Sequence, residues 1–373
     1  MTAWVVAARR SPVGTAGHAF AEVEAARLAA PVLRAVADEA RTVTGLAPDE
    51  VVLGNCMGPG GDVARVAALA AGLDVPALTV DRQCASGLAA VVSAVAQVRA
   101  GSPLVLAGGV ESASTAPWRS WPPAPGREPV RYERAPFAPA EVGDPDMGEA
   151  NDRLAARAGV SRERQDAYAA ESHRRAHASR EAGRFDAEVV PVAGVARDER
   201  PRAGMSAARL ARLRPAFRTA EEGGTVTAGN SCGVNDGAAV VAVVGERPGV
   251  PALRVLGSAT VACDPNDPGR GLVPATRRVL ERTGRSLDEV DVVELNEAFA
   301  GQVLACCDEL GLDPARVCPE GGALGLGHPW GASGALLVVR LHAQLVRSGH
   351  GGLGLAAIAA GGGQGVALLV EAT

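Results

Sequence analysis

The segment ALTVDRQCASGLAAVVSAVAQVRAGSPLVLAGG (77–109) carries three elements in a row. Ala77 to Asp81 is a short β-branched run that reads as a strand. The clearest helix of the chain starts near Cys84. Leu88, Val91, Val92, Val95 and Val98 fall on one face at helical spacing, and Gly101 followed by Pro103 stops it. Leu104 to Gly108 is the second strand, running into Ala107-Gly108-Gly109. The same order returns near the C-terminus. Ala-Ser-Gly at 332–334 opens an apolar helix as Ala-Ser-Gly at 85–87 does, Gly349 stops it, and a strand runs into Ala360-Gly361-Gly362. Two copies of one strand–helix–strand unit predict a duplicated core, with a functional site where the halves meet.

Outward from these copies, short runs at Trp4 to Ala7 and Val51 to Gly54 alternate with longer stretches of helical period. That rhythm predicts an α/β fold with a buried, largely parallel sheet. From Arg119 to Phe217 the chain turns polar and rich in Pro and Arg, with helices around 151–183 and a loop-like 193–208. It is too polar for the main core and reads as an excursion covering one face. Sheet patterning resumes at 238–244. The predicted division is an N-terminal half at 1–118 completed by 219–247, an inserted loop domain at 119–218, and a C-terminal half at 248–373.

Composition narrows the chemistry. All 37 residues counted as Lys+Arg are arginine, against 42 Asp+Glu, in 373 residues. Without lysine there is no Walker-type phosphate loop, no Schiff base and no internal aldimine, so an anionic ligand falls to Arg, backbone amides or a helix N-terminus. The net charge of −5 argues against a dedicated nucleic-acid or anionic-membrane binder. The most apolar stretch, Leu353 to Val370, is crowded with glycine and reads as strand, turn, strand. Charges after the short apolar run of MTAWVVAARR are the reverse of a secretory signal, and seven cysteines with no Cys-x-x-Cys pair suit a reduced, cytoplasmic protein.

Four places carry chemistry. Cys84 stands after a strand and at a helix start, where free N–H groups and the helix dipole would stabilise a thiolate; by itself such a cysteine is as readily a small buried hydrophobe. His328, in GGALGLGHPWGASGA (321–335), sits among small residues that allow close backbone approach, and its imidazole would draw the thiol proton and later return it. Asn296, in VVELNEAFAGQ (292–302), would orient a water or donate to an oxyanion, or else cap a helix starting at Glu297. The turn GGGQG (361–365) offers N–H groups for an oxyanion hole. His173 and His177 are spaced i, i+4 but lack a third ligand, so a solvated helix face is the better reading and no metal is expected. Cys306-Cys307 reads as core.

Taken in order, these blocks resemble the thiolase family over nearly the whole chain. AARRSPVG (7–14), GN (54–55), DRQCASGLAAV (81–91), AGGVESAS (107–114), RLRPAF (212–217), GTVTAGNSCGVNDGAA (224–239), NEAFA (296–300), GGALGLGHPWGASGA and GGGQGVALLVE (361–371) follow in family sequence. The resemblance implies a five-layered αβαβα fold of two similar halves with a loop domain between them. It implies acyl-coenzyme A substrates, no permanently bound cofactor, and a homodimer or homotetramer. It places an acyl intermediate on Cys84, activated by His328. One oxyanion hole would be His328 with a water on Asn296, and the other the N–H groups of Cys84 and Gly361. Met147, Phe217, Cys232, Ala298 and Phe299 would line the pantetheine tunnel, and Arg209, Arg212 and Arg214 would face the nucleotide phosphates.

One departure stands out. The family pattern has a second cysteine two residues before GGGQG, as acid/base; here that position is Ala359. Relatives of the sterol-carrier type place a substitute cysteine in the NEAF motif, where this chain has Ala298. A positioned acid/base is worth roughly 10²- to 10⁴-fold in rate, so its loss slows ordinary thiolysis or condensation while leaving acyl transfer onto Cys84 intact. The expected activity is acyl transfer to an acceptor that needs no such base. An ordinary thiolase with its base relocated to Cys318 or Cys232, or a non-catalytic scaffold subunit, are the alternatives.

Overall fold

The computed structural model describes residues 2–132 and 134–373. Its first half runs β1 (Ala3–Arg10), α1 (Ala25–Thr44), β2 (Glu50–Gly54), α2 (Val63–Ala70), β3 (Ala77–Val80), α3 (Ser86–Ala100) and β4 (Leu104–Ser112). Next come α4 (Met147–Arg157) and α5 (Arg162–Glu181), and then β5 (Asn235–Val244). The second half runs β6 (Leu253–Ala262), α6 (Leu272–Thr283), β7 (Val292–Leu295), α7 (Ala300–Leu310), α8 (Trp330–His342), β8 (Gly352–Ala360) and β9 (Gln364–Ala372).

The repeat goes further than the sequence echo. Strands of the first half lie in the order β3-β2-β4-β5-β1 and those of the second in the order β7-β8-β9-β6. A single parallel bridge from Val293 to Val317 stands beside β7 where β3 stands beside β2. With that bridge counted, both halves have the same strand permutation. An antiparallel pairing of Ala3–Val5 with Leu253–Val255 joins the two strand sets edge to edge.

The prediction of a largely parallel sheet is corrected. β2–β3, β2–β4 and β7–β8 are parallel, but β1–β5, β4–β5, β6–β9 and β8–β9 are antiparallel. A parallel neighbour needs a crossover helix, whereas β9 follows β8 through a glycine turn that leaves only the antiparallel option. The last strand of each half therefore reverses the sheet.

Three apolar layers fill the space around the strands. Leu88, Val91 and Val95 of α3 pack with Leu337, Val338 and Leu341 of α8 in a central layer faced by strands of both halves. Outside the first half, Leu28, Val32, Leu33 and Val36 of α1 cover one sheet face; outside the second, Val273 and Val279 of α6 and Val303 of α7 cover the other. This is the five-layered αβαβα arrangement. Of the predicted α3 stripe, Leu88, Val91, Val95 and Val98 are buried and Val92 is partly so.

The central helices approach so closely that glycine is required between them. A Cβ on Gly87 would lie 2.7 Å from the Gly331 carbonyl oxygen, and one on Gly334 would lie 2.4 Å from the Leu88 nitrogen. The Ala-Ser-Gly echo is thus the contact point of the two halves, and it draws the starts of α3 and α8 together. The excursion is tied down by buried ions. Arg10 donates to Glu188 at 2.6 Å and to both oxygens of Asp198 at 2.6 and 2.9 Å, and Arg340 of α8 pairs with the same Glu188.

Candidate active site

Cys84 lies in the turn between β3 and α3, two residues before the helix begins. Gln83 holds a left-handed φ of 49°, unusual for a side chain of its size. The Ser86 hydroxyl stabilises the turn, accepting from the Arg82 N–H at 2.7 Å and donating to the Gln83 carbonyl at 2.6 Å. The Cys56 thiol also reaches that carbonyl, at 3.0 Å.

The expected thiolate is corrected. Burial, with the neighbouring Cys232 next in importance, pushes the Cys84 thiol up to about 12. Desolvation of the anion outweighs the helix start, because α3 begins beyond the cysteine and the sulfur is packed against the central core. Cys84 rests as a thiol.

His328 is held in its neutral form. It is 2% exposed, and burial pulls its imidazole down to about 4. Nδ1 stands 2.6 Å from the Ser333 hydroxyl of α8 and Nε2 stands 3.4 Å from the Asn296 side-chain nitrogen. The consistent tautomer has Nδ1–H donating to Ser333 Oγ, which leaves the Nε2 lone pair facing Asn296 and the site. The His328 backbone N–H donates to Asn235 Oδ1 at 2.9 Å, and Asn235 in turn donates to the Gly14 carbonyl. One residue before β4 ends, Glu111 binds the first half to this loop: its carboxylate accepts from Asn55, Cys56, Met57 and Gly331.

Asn296 follows β7 directly. Its N–H donates to the Ala357 carbonyl of β8 at 3.0 Å, two residues before Ala359. It does not cap a helix at Glu297, because α7 begins only at Ala300, and the intervening residues bend to meet other segments. The buried Glu297 carboxylate explains the bend: it accepts from Tyr168 at 2.7 Å and Ser172 at 2.6 Å on α5, and from the Leu324 N–H at 3.1 Å.

The segment 231–235 runs against both 298–299 and His328. Cys232 N–H donates to the Ala298 carbonyl at 2.9 Å, Ser231 bridges Phe299, and Val234 bridges His328. Cys232, Ala298, Asn296 and His328 are thus joined by direct contacts across both halves of the chain, and Cys84 lies close enough to Cys232 to be influenced by it. Gly361 lies just past β8, where a Cβ would meet the Phe137 ring at 2.5 Å. Among the described residues, neither the Cys84 nor the Gly361 N–H donates to a backbone carbonyl outside the regular elements.

The Phe217 ring packs over Gly148, next to Met147, and meets Phe299 edge-on at 6.4 Å and 74°. Arg209, Arg212 and Arg214 are exposed and, among the described residues, enter no ion pair. Arg200 was not foreseen: it donates to the Ser231 and Leu324 carbonyls and counters the rise that burial imposes on Cys232, whose thiol stands at about 11. Ser333, Asn235, Glu111 and Glu297 were also missed as individuals, though each lies inside a motif already singled out.

Two further readings are settled here. His173 is 3% exposed and not on a solvated face; burial lowers its imidazole to about 4. Cys306 and Cys307 are core residues. Among the described residues no group of three His, Cys, Asp or Glu is placed to hold a metal ion, and no helix is long and apolar enough to cross a membrane.

The two duplicated halves, with Cys84 before α3 of one and the buried His328–Asn296 pair in the other, have the architecture of the thiolase type. The chain belongs to the thiolase family: residues 3–247 match the model of the thiolase N-terminal domain and residues 250–372 that of the C-terminal domain. It is similar to an acetyl-CoA acetyltransferase of Pseudomonas aeruginosa, at 41% identity over 392 residues covering 98% of each chain. Among solved structures it is similar to the Bacillus anthracis acetyl-CoA acetyltransferase, with a TM-score of 0.90, 37% identity and coverage of 100% of this chain and 99% of that one. It is also similar to human mitochondrial 3-ketoacyl-CoA thiolase in complex with CoA, with a TM-score of 0.91, 33% identity and coverage of 100% and 98%. The protein is an acyltransferase of this family.

Proposed function

We propose that this thiolase-family acyltransferase loads a short acyl group from coenzyme A onto Cys84 and passes it to an acceptor that needs no cysteine base at position 359. The observation that carries this is the pairing of a complete nucleophile set, Cys84 with His328, Ser333 and Asn296, with Ala359 at the end of β8. In the first step Nε2 of His328 takes the Cys84 proton as sulfur attacks the thioester carbonyl. The oxyanion forms toward the N–H groups of Cys84 and Gly361 or toward His328 and a water on Asn296, and His328 returns the proton to the departing coenzyme A sulfur. Suitable acceptors are a carbanion made by decarboxylation, an already acidic 1,3-dicarbonyl carbon, an amine or water.

Met147, Phe217, Cys232, Ala298 and Phe299 line the pantetheine path in this reading. Arg209, Arg212 and Arg214 hold the nucleotide phosphates, no cofactor is permanently bound, and 119–218 acts as the loop domain between halves 1–118 with 219–247 and 248–373. The chain works as a homo-oligomer in the cytoplasm. β3 is an edge strand, and Leu78 upon it, with Val66 and Leu69 of α2, is about half exposed, an apolar edge suited to a second copy. Incubation with acetyl-CoA followed by intact-mass measurement is expected to give one acetyl adduct, lost in Cys84→Ala. Absence of any adduct with short acyl-CoA thioesters overturns the reading.

A second reading, a 3-ketoacyl-CoA thiolase or acetyl-CoA C-acetyltransferase with a relocated base, is favoured by one observation: Cys232 is close enough to Cys84 to raise its titration. Cys318 is the weaker candidate, since its thiol is buried against the Leu295 carbonyl at 3.2 Å, beside Glu294 and Glu297. This reading expects acetoacetyl-CoA thiolysis that Cys232→Ser abolishes. A scaffold subunit, the third possibility, has no use for the intact Cys84, His328 and Asn296 set.

A further inference from the structure

Glu294 is a buried carboxylate that the acyl-transfer mechanism does not use. It lies on β7 two residues before Asn296, hence on the same face of the strand, and is 1% exposed. Gln344 donates to its Oε1 at 2.7 Å. A small cavity with room for about one water molecule lies between Glu294, Asn296, Ser333 and Arg340. Arg340 is 1% exposed, and its Nε has no partner among the described residues. Ser333, whose hydroxyl stands 2.6 Å from His328 Nδ1, is on the wall of the same cavity. A site enclosed by a hydroxyl, a carboxylate, an amide and an unpaired guanidinium nitrogen has the partners a buried water requires.

Beyond Glu294 the polar path continues. Gln344 and Glu320, the latter paired with Arg340, line a surface basin of about 600 Å³ with Arg184, Arg347 and His350. This basin opens at the other end of the parallel strands β7 and β8 from Asn296 and Ala359. Glu294 and its partner Gln344 thus stand between the cavity beside Ser333 and this basin.

We infer that Glu294 is the proton acceptor behind His328, joined to it through Ser333 Oγ and one water in the cavity. The inference rests on the proposed loading of Cys84. As the Cys84 S–H bond breaks, its proton goes to Nε2. The Nδ1 proton passes to Ser333 Oγ, the hydroxyl proton to the water, and a water proton to a Glu294 oxygen. When coenzyme A leaves, the same chain runs backward and Nε2–H protonates the departing sulfur. Bonds and charges balance without any co-reactant.

The electrostatics favour this route. Burial holds His328 at about 4, so an imidazolium left there is costly, whereas Glu294 stands at about 7, raised by burial and held back by Arg340 and Gln344. The other titratable groups facing Glu294 are Glu320 and Cys318; Glu188 and Arg10 lie behind Arg340, while His342 on the same helix faces Arg347 and Arg9. Passing the proton onward keeps His328 neutral throughout.

The test is the rate of acetyl transfer from acetyl-CoA to Cys84, measured by quenched flow across the neutral range and in H2O–D2O mixtures. For the wild type the rate is expected to fall as pH drops through about 7, where Glu294 protonates, with a curved proton inventory. Glu294→Gln is expected to slow loading by roughly 10- to 100-fold, to remove that limb and to make the inventory linear. Ser333→Ala should do the same, with no further loss in the double variant, and Glu294→Asp should restore the limb. A Glu294→Gln protein that keeps the wild-type limb and curvature overturns the relay; should it not fold, the same outcome in Ser333→Ala does so. Failure of the wild type to acquire an acetyl group would instead overturn the proposed function.

Discussion

Alkylation of Cys84 in the free enzyme tests the resting state of the site directly. With the thiol held at about 12, roughly one molecule in 10⁴ carries the thiolate at pH 8, against about one in four for an ordinary cysteine near 8.5. The more basic thiolate is the better nucleophile, and with a Brønsted slope of about 0.45 the gain is roughly 40-fold. The two effects combine to an iodoacetamide rate about 60-fold below that of an unperturbed thiol. The rate should climb close to tenfold for each pH unit from neutrality upward, without a plateau near pH 8 to 9. Peptide mapping of the alkylated protein separates Cys84 from the half-buried Cys56, Cys232 and Cys263. His328→Asn should leave this profile in place, because a neutral imidazole does not hold a thiolate, yet should slow loading from acetyl-CoA by roughly 10²- to 10⁴-fold. A plateau at or below pH 8 that disappears in His328→Asn would mean a preformed thiolate–imidazolium pair and refute the reasoning.

Three other outcomes are expected. Ala359→Cys should raise acetoacetyl-CoA thiolysis by roughly 10²- to 10⁴-fold in a steady-state assay; an unchanged rate would mean that the base at that position is not what this protein lacks. Replacing Arg209, Arg212 and Arg214 together by Ala should raise KM for acetyl-CoA and flatten its dependence on salt while leaving kcat near the wild-type value, and an unaltered KM would remove these arginines from the phosphate site. Gly87→Ala gains about 1 kcal/mol of helix propensity but places a Cβ 2.7 Å from the Gly331 oxygen; overpacking should prevail, lowering stability by roughly 1–3 kcal/mol in urea unfolding and slowing Cys84 loading as the His328 loop is displaced.

Much of the architecture is legible because local chemistry and fold coincide in the repeated unit. The α3 stripe, its glycine stop and the two Ala-Ser-Gly starts report elements whose periodicity needs no distant partner. The direction of β5 and β9 is not encoded in that way: a buried apolar run looks alike in parallel and antiparallel pairing, and only the connection decides between them. The start of α7 was misjudged for a related reason. The Glu297 carboxylate draws two of its three hydrogen bonds from α5, about 125 residues earlier in the chain, and this holds 296–299 out of the helix.

The sequence by itself determined the duplicated α/β core, the membership of the family through motifs in order, and the identities of Cys84, His328, Asn296 and the unusual Ala359. Only the tertiary structure decided their states. A thiol near a helix start reads as activated, yet the packed core around it imposes a desolvation cost that the adjacent helix does not repay, and the same burial keeps His328 neutral. Which groups stand behind the histidine was likewise hidden. Ser333 and Glu294 are 39 residues apart and meet only because the close approach of α8 to β7 leaves a water-sized space between them. Titration and proton transfer depend on distance and dielectric, and both are set by packing.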